Sequence, residues 1–285
     1  MTTFVRKFYS MRFKYVYISL LFVLLASFTS CSEYSKILKS TDVMFKLDAA
    51  KKYFAEGKYD KAATLFEDVV PALRGSAYGE EALYMLAQSY YSQKDYITST
   101  EYFRSYYNAY PKGEFTELAR YYAAYGLYLE SPDPRFDQID TYTAMQYFQE
   151  FLDYYPQSEK RADAQNALFE LQEKLALKEL MAARLYYNLG EYILFPFPGG
   201  NYLSCIITSQ AAIRTYPYSQ YKEEFLYYIF KSKYEIAVKS VEEKKDVRYR
   251  DVIDEYYNYM NEFPQGGVYS NEIKSLYTNI QKELN

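Results

Sequence analysis

The 285-residue chain has no histidine and no tryptophan, and only two cysteines, Cys31 and Cys205. Without histidine, zinc sites built on imidazole and Ser-His-Asp or Cys-His catalysis are excluded. Two isolated cysteines make no metal-binding cluster. Long apolar runs are scarce as well. The longest, roughly 16–28, is short for a membrane span. No block of one charge sign stands out, with 33 Lys and Arg against 37 Asp and Glu. What the chain does have is tyrosine, 39 residues of it beside 19 phenylalanines. Charged residues at 25% and hydrophobic residues at 49% describe a globular chain, not a disordered one. A tyrosine packs its ring and keeps its hydroxyl wet, so this excess suggests many half-buried helix faces in a thin molecule.

The first thirty residues have the order of an export signal. Arg6, Lys7, Arg12 and Lys14 precede the apolar run, and small residues follow it. Met11 would serve as a start as well as Met1, since Arg12 and Lys14 still supply the basic region. The run ends in Ser-Phe-Thr-Ser-Cys31, which resembles the lipobox of bacterial lipoproteins. Phe28 stands where that motif usually has Leu, Val or Ile. An ordinary secretory signal with an incidental cysteine is the other reading. The lipobox reading implies a signal peptide over 1–30 and a mature chain beginning at Cys31. That cysteine would carry a diacylglycerol and an N-acyl chain, such as palmitate, with no other cofactor. Several acyl chains make stable anchoring. Removing 1–30 takes the formal charge from −4 to −8, a poor balance for binding nucleic acid.

Beyond residue 42 the sequence repeats itself. In the stretch from Glu80, Leu83, Leu86, Ala87 and Tyr90 fall at helical spacing. Ser-Gln-Lys-Asp breaks the pattern, and Tyr96, Ser99, Phe103, Tyr106 and Tyr110 resume it up to Pro111. This is a helix pair of about 34 residues, the tetratricopeptide (TPR) length. An earlier pair sets Ala50, Tyr53, Gly57, Tyr59, Ala62 and Phe66 at the same landmarks. A third has Ala123, Ala144, Phe148 and Pro156. A fourth has Leu185, Leu189 and Tyr192, then Tyr202, Cys205 and Pro217, with an insertion at 195–201 that reads either as a partner contact or as a buried elbow. A fifth has Tyr249, Val252, Tyr256 and Pro264, and a polar-faced last helix suits a cap. Four times an aromatic residue precedes proline at the end of an amphipathic run: Tyr110, Tyr155, Tyr216 and Phe263. Proline stops a helix, so each pair marks a corner, and Ser158 and Ser219 are expected to cap the helix that follows. The prolines are 45, 61 and 47 residues apart, so the repeats are irregular, and the longest gap leaves room for an extra helical stretch from Arg161. Cys205 sits at the small position shared with Ala62, Ser99 and Ala144, the place of a packed small hydrophobe.

The fold class expected is therefore all-α, a TPR-like α-solenoid of about five irregular helix-turn-helix repeats. Residues 31–42 read as a lipidated linker, 43–156 as the first three repeats, and 157–285 as the last two with the capping helix.

A lipobox, these repeats and the long junction from Tyr155-Pro156-x-Ser158 through Leu168, Leu171, Leu175 and Ala176 to Tyr186, Tyr187 and Gly190 resemble the BamD (ComL or YfiO) family. Its members are lipoproteins of the bacterial β-barrel assembly (BAM) complex, the machinery for protein insertion into the outer membrane. The resemblance implies a non-enzymatic scaffold on the periplasmic face of the outer membrane, held there by lipid. It implies two classes of partner: unfolded outer-membrane protein clients, and the POTRA-containing barrel protein BamA. In a TPR array the concave face lies on the first helix of each pair. Here that face is expected to hold Lys51 and Phe54, then Tyr84, Gln88 and Tyr91, then Arg120, Ala124 and Tyr128. Aromatic rings with Lys and Arg suit a peptide with aromatic side chains and a terminal carboxylate. A SusD-like glycan-binding lipoprotein is the alternative.

Overall fold

The computed structural model describes residues 33–190 and 200–284, and every regular element among them is helical. The leader 1–30, Cys31, Tyr192 and the 195–199 part of the insertion lie outside the described residues. The chain divides into two compact units, Met1–Gly126 and Leu127–Asn285.

In the first unit a short helix, α1 (33–38), precedes α2 (Val43–Ala55), α3 (Tyr59–Leu73), α4 (Ala77–Ser92) and α5 (Tyr96–Ala109). The boundary between the units falls inside α6 (Thr116–Glu130). Helices adjacent in sequence pack on one another, α2 on α3, α3 on α4 and α4 on α5. The repeat landmarks form the core: Ala50, Ala62, Phe66, Ala87 and Phe103 are fully buried. Small residues let the helices approach. Ser99 donates to the Ala87 carbonyl at 3.0 Å, and Thr100 to the Ala123 carbonyl at 3.2 Å. Asp42 and Asp95 cap α2 and α5, their carboxylates accepting from the Phe45 and Thr98 amides. Two turns end their first helices alike. The Lys58 amide donates to the Tyr53 carbonyl and the Asp95 amide to that of Tyr90, the closing bond of a Schellman motif. The left-handed residue is Gly57 (φ +72°) in one turn and Lys94 (φ +64°) in the other.

Within the segment read as a lipidated linker, 31–42, the described residues begin with a helix. From Glu33 onward α1 is docked. Ile37 is buried, the Tyr34 ring meets Tyr53 edge-on at 5.6 Å, and the Lys61 ammonium lies 5.3 Å from the Tyr34 ring. Apolar burial and ring contacts outweigh the freedom of a segment this short.

The second unit contains α7 (Ile139–Tyr154), α8 (Arg161–Leu189), α9 (Gly200–Thr215), α10 (Lys222–Val238), α11 (Glu242–Glu262) and α12 (Ser270–Leu284), again packed in sequence order. The stretch expected as an extra piece is continuous with the first helix of the fourth repeat. Together they form the 29-residue α8, which has no internal glycine or proline and ends at Gly190. That merger moves the landmarks. Leu171, Leu175, Leu180 and Ala183 are buried, while Leu185 is 57% exposed and Leu189 37%. Because α7 packs on α8, the compact units part within α6, before the 156/157 division drawn from the repeats. Cys205 is fully buried, as its small position predicts. The last helix, α12, buries Ile273 and Ile280 and leaves most of its other side wet, as a cap does.

The four aromatic-proline corners share one geometry. In each, the carbonyl of the aromatic residue accepts from the amide three residues on: Tyr110 from Gly113, Tyr155 from Ser158, Tyr216 from Ser219 and Phe263 from Gly266, at 2.9–3.1 Å. Proline at the second place of such a turn presets the backbone. Three of the aromatic rings lie back on the ring four residues earlier, Tyr110 on Tyr106, Tyr155 on Phe151 and Phe263 on Tyr259, at 5.3–5.6 Å. The serines do not cap the following helix. Ser158 and Ser219 accept from the Lys160 and Tyr221 amides, still inside the corner, because a second turn intervenes before α8 and α10 begin.

Candidate peptide-binding face

Glutamates tie the corners to the preceding repeat. In the first unit Glu80, on the first turn of α4, accepts from the Tyr106 hydroxyl at 2.6 Å and from the Glu114 amide at 2.8 Å. The same hydroxyl accepts from the Phe115 amide at 3.0 Å. The Tyr106 ring is fully buried, so burial first and Glu80 second hold its ionisation well above the ordinary tyrosine range. This closed set of bonds fixes the segment 113–115 and sets Phe115 against α4.

Above that corner the rings join. Tyr84 stacks on Phe115 at 4.4 Å with 15° between planes, and stands 5.6 Å from Tyr106 and 5.7 Å from Phe103. Tyr91 lies 5.2 Å from Tyr96 and 5.1 Å from Tyr122, and Tyr122 stacks on Phe103 at 5.8 Å. The result is a half-buried aromatic wall on α4, α5 and α6 within the first unit. Gln88 donates to the Tyr84 hydroxyl at 3.0 Å. Burial pushes the Tyr84 phenol up to about 12 against the opposing effect of Gln88, and drives Tyr91 up as well.

Of the residues expected on the binding face, Tyr84, Gln88 and Tyr91 thus share one surface. Phe54 sits edge-on to Tyr59 at 5.3 Å. The cations are less available than the sequence suggested. Lys51 is paired with Glu81 at 2.6 Å, and the Arg120 guanidinium lies 4.3 Å above the Tyr107 ring. Ala124 is fully buried, so its small side chain is not part of an open surface. Tyr128 belongs to the second unit, where it donates to Glu170 and meets Phe148 edge-on at 6.4 Å. Two wall residues escaped sequence reasoning. Phe115 lies in the corner, where helical periodicity gives no guidance. Tyr122 precedes the landmark Ala123, at the place where Ala49 and Leu86 are core residues.

A family model described as outer membrane lipoprotein (YfiO) matches residues 41–195. The chain belongs to this family. The match spans more than half of the sequence, from the start of the first full repeat beyond the end of α8, and so includes the aromatic wall. No curated protein gives a match. No helix among the described residues is long and apolar enough to cross a membrane.

The second unit repeats the corner device. Glu223 on α10 accepts from the buried Tyr259 hydroxyl at 2.7 Å and from the Tyr269 amide at 3.2 Å. Glu173 on α8 does the same for the Ser219 hydroxyl at 3.1 Å and the Gln220 amide at 3.3 Å. Arg184 forks onto Glu224 with bonds of 2.7 and 2.6 Å, which joins α8 to α10 and holds the guanidinium's proton more firmly. Toward the insertion, Leu185, Leu203 and Ile207 are exposed. Among the described residues no group of His, Cys, Asp or Glu has the arrangement to hold a metal ion.

Proposed function

We propose that this outer membrane lipoprotein is a lipid-anchored scaffold of β-barrel assembly, a protein that holds other polypeptides and transforms none. Cys31 carries the acyl chains and places the repeats on the periplasmic face. The aromatic wall of the first unit receives extended segments of unfolded outer-membrane proteins, whose aromatic side chains lie against Tyr84, Tyr91 and Tyr122. The second unit docks on a POTRA-containing barrel insertase of the BamA kind. Holding client and insertase on one chain raises their effective concentration without new chemistry. The observation that carries this reading is the family match over the repeats that build the wall. Half-exposed tyrosines suit it, since each offers apolar area at little entropic cost.

Affinity isolation of the full lipoprotein from detergent-solubilised envelope tests the reading. Co-purification of a POTRA-bearing barrel protein in near-stoichiometric amount is expected. A preparation that recovers the lipoprotein without such a barrel would overturn the docking role.

A further inference from the structure

The docking of α1 leaves almost no tether. Cys31 is followed by Ser32 and then by Glu33, the first residue of a helix packed on the first repeat. Two residue steps span at most about 7 Å. A lipid-modified cysteine lies at the headgroup layer, which is about 5–7 Å deep on each side of the bilayer. The end of the unit against which Tyr34 packs is therefore confined near the headgroups, whereas a twelve-residue linker (31–42) would have left it free.

That end is an edge made of inter-helix turns. Tyr34 meets Tyr53 near the close of α2, and Lys61 lies over both rings, 5.3 and 5.6 Å from their centroids. The α2–α3 turn adjoins the α4–α5 turn, where the Gln93 side chain donates to the Tyr59 carbonyl at 3.2 Å. Lys52, Lys58, Lys61 and Lys94 stand along this edge. Lys58 is paired with Glu56 at 2.7 Å. Lys52 and Lys94 are exposed, and neither has an ion-pair partner among the described residues. Glu33, Asp48, Asp60 and Asp95 are the other carboxylates nearby, Asp48 one turn before Lys52 on α2, and Asp95 is committed to capping α5. Lys52 and Lys94 are single unpaired ammonium groups on an edge whose carboxylates at least match its lysines in number. Lys94 is unusual in its backbone. It holds φ +64° where the preceding repeat has Gly57, a conformation that costs a non-glycine residue energy. A cation retained there against that cost fits a surface of phosphates.

We propose that the turn-bearing edge of the first unit is a second membrane contact. The short tether holds it against the outer membrane's inner leaflet, with Lys52 and Lys94 paired to anionic headgroup phosphates. The Debye length of about 8 Å at physiological salt matches the reach of the tether. This inference rests on the acylation of Cys31 in the function proposed above.

The test uses the full lipoprotein in vesicles of phosphatidylethanolamine with phosphatidylglycerol. A second protein carries a flexible Gly-Ser insertion after Ser32, ahead of every packed residue. Acetylation rates of individual lysines are read by mass spectrometry. Lys52 and Lys94 are expected to react about fivefold more slowly in the native protein than in the long-tether protein, in line with the attraction of one lysine to an anionic surface. Equal rates in the two proteins overturn the inference. The mass of the peptide containing Cys31 separates the two failures: acyl chains present with equal rates defeat the membrane contact alone, and acyl chains absent defeat the anchor on which it stands.

Discussion

The corner at Tyr110-Pro111 in the first unit and the corner at Phe263-Pro264 in the second are built from the same parts. Each has a buried tyrosine four residues before the aromatic, and each has a glutamate on the preceding first helix that accepts from that hydroxyl, at 2.6 Å in one and 2.7 Å in the other. In each a glycine without room for a Cβ stands beside the pair, Gly113 or Gly267. The two differ in what they support. In the first unit Tyr106 continues through Phe115 and Tyr84 into a wall of rings. In the second, Tyr259 leads to Tyr269, whose ring stacks on Tyr227 at 4.2 Å, while Glu272 accepts from the Tyr227 hydroxyl and pairs with Lys231 at 2.6 Å. One device thus serves two surfaces, one aromatic and the other closed by ions. The corner is structural, and function has to be sought in the residues that differ.

The largest effects should come from the glycines. At Gly113 or Gly267 a methyl group would lie on the glutamate and 2.7 Å from the tyrosine hydroxyl. Gly113→Ala and Gly267→Ala are each expected to cost about 3 kcal/mol, from overpacking plus displaced hydrogen bonds, as read by urea unfolding of each unit's own transition. A clear inequality between them would show that the corners are alike in geometry only. Removing a hydroxyl is milder. Tyr106→Phe and Tyr259→Phe should each lose about 1–2 kcal/mol, since in each a half-buried carboxylate loses its hydroxyl donor, and at Tyr106 the Phe115 amide loses its acceptor as well.

Alkaline pH sharpens the comparison. Burial raises Tyr84 in the first unit and Tyr259 in the second to about 12, with Glu223 adding to the effect at Tyr259 and Ser270 opposing it. A raised value means the folded state favours the neutral phenol. That contribution is complete below about pH 10, the unfolded tyrosine value, and is lost as the pH climbs through 12. Stability should fall over that window in both units. Tyr84→Phe should flatten the slope of the first unit's transition only, and an unchanged slope would sink the assignment of Tyr84 to that loss.

Much of this was legible in the sequence because repeats confess themselves by period. Small landmarks such as Ala62, Ser99, Ala144 and Cys205 and the prolines at the corners are set by close helix approach and by the missing amide, both local rules. What lay hidden depended on contacts between elements. The register sets Ala124 on the open face, but its side chain is fully buried. Lys51 and Arg120 looked like free cations until Glu81 and Tyr107 met them. Leu185 and Leu189 were placed by repeat spacing, and the unbroken run of α8 rotated them outward. Phe115 is invisible to periodicity because a hydrogen-bonded corner, not a helix, positions it.

The smallest expected effect concerns the two turns of the first unit that differ by one residue. Gly57 and Lys94 occupy the same left-handed place, at φ +72° and +64°. A Cβ at Gly57 meets nothing within 4 Å, so Gly57→Ala pays only for the backbone, about 1 kcal/mol. Lys94→Gly should do the reverse and stabilise the first unit, by about 0.5–1 kcal/mol after the added freedom of the unfolded chain is deducted. If the lysine is kept for its charge, the more stable Lys94→Gly protein should hold phosphatidylglycerol vesicles less tightly, and the loss should disappear at high salt, where surface charges are screened. A variant that gains stability and binds vesicles as before would leave Lys94 as an accident of the turn.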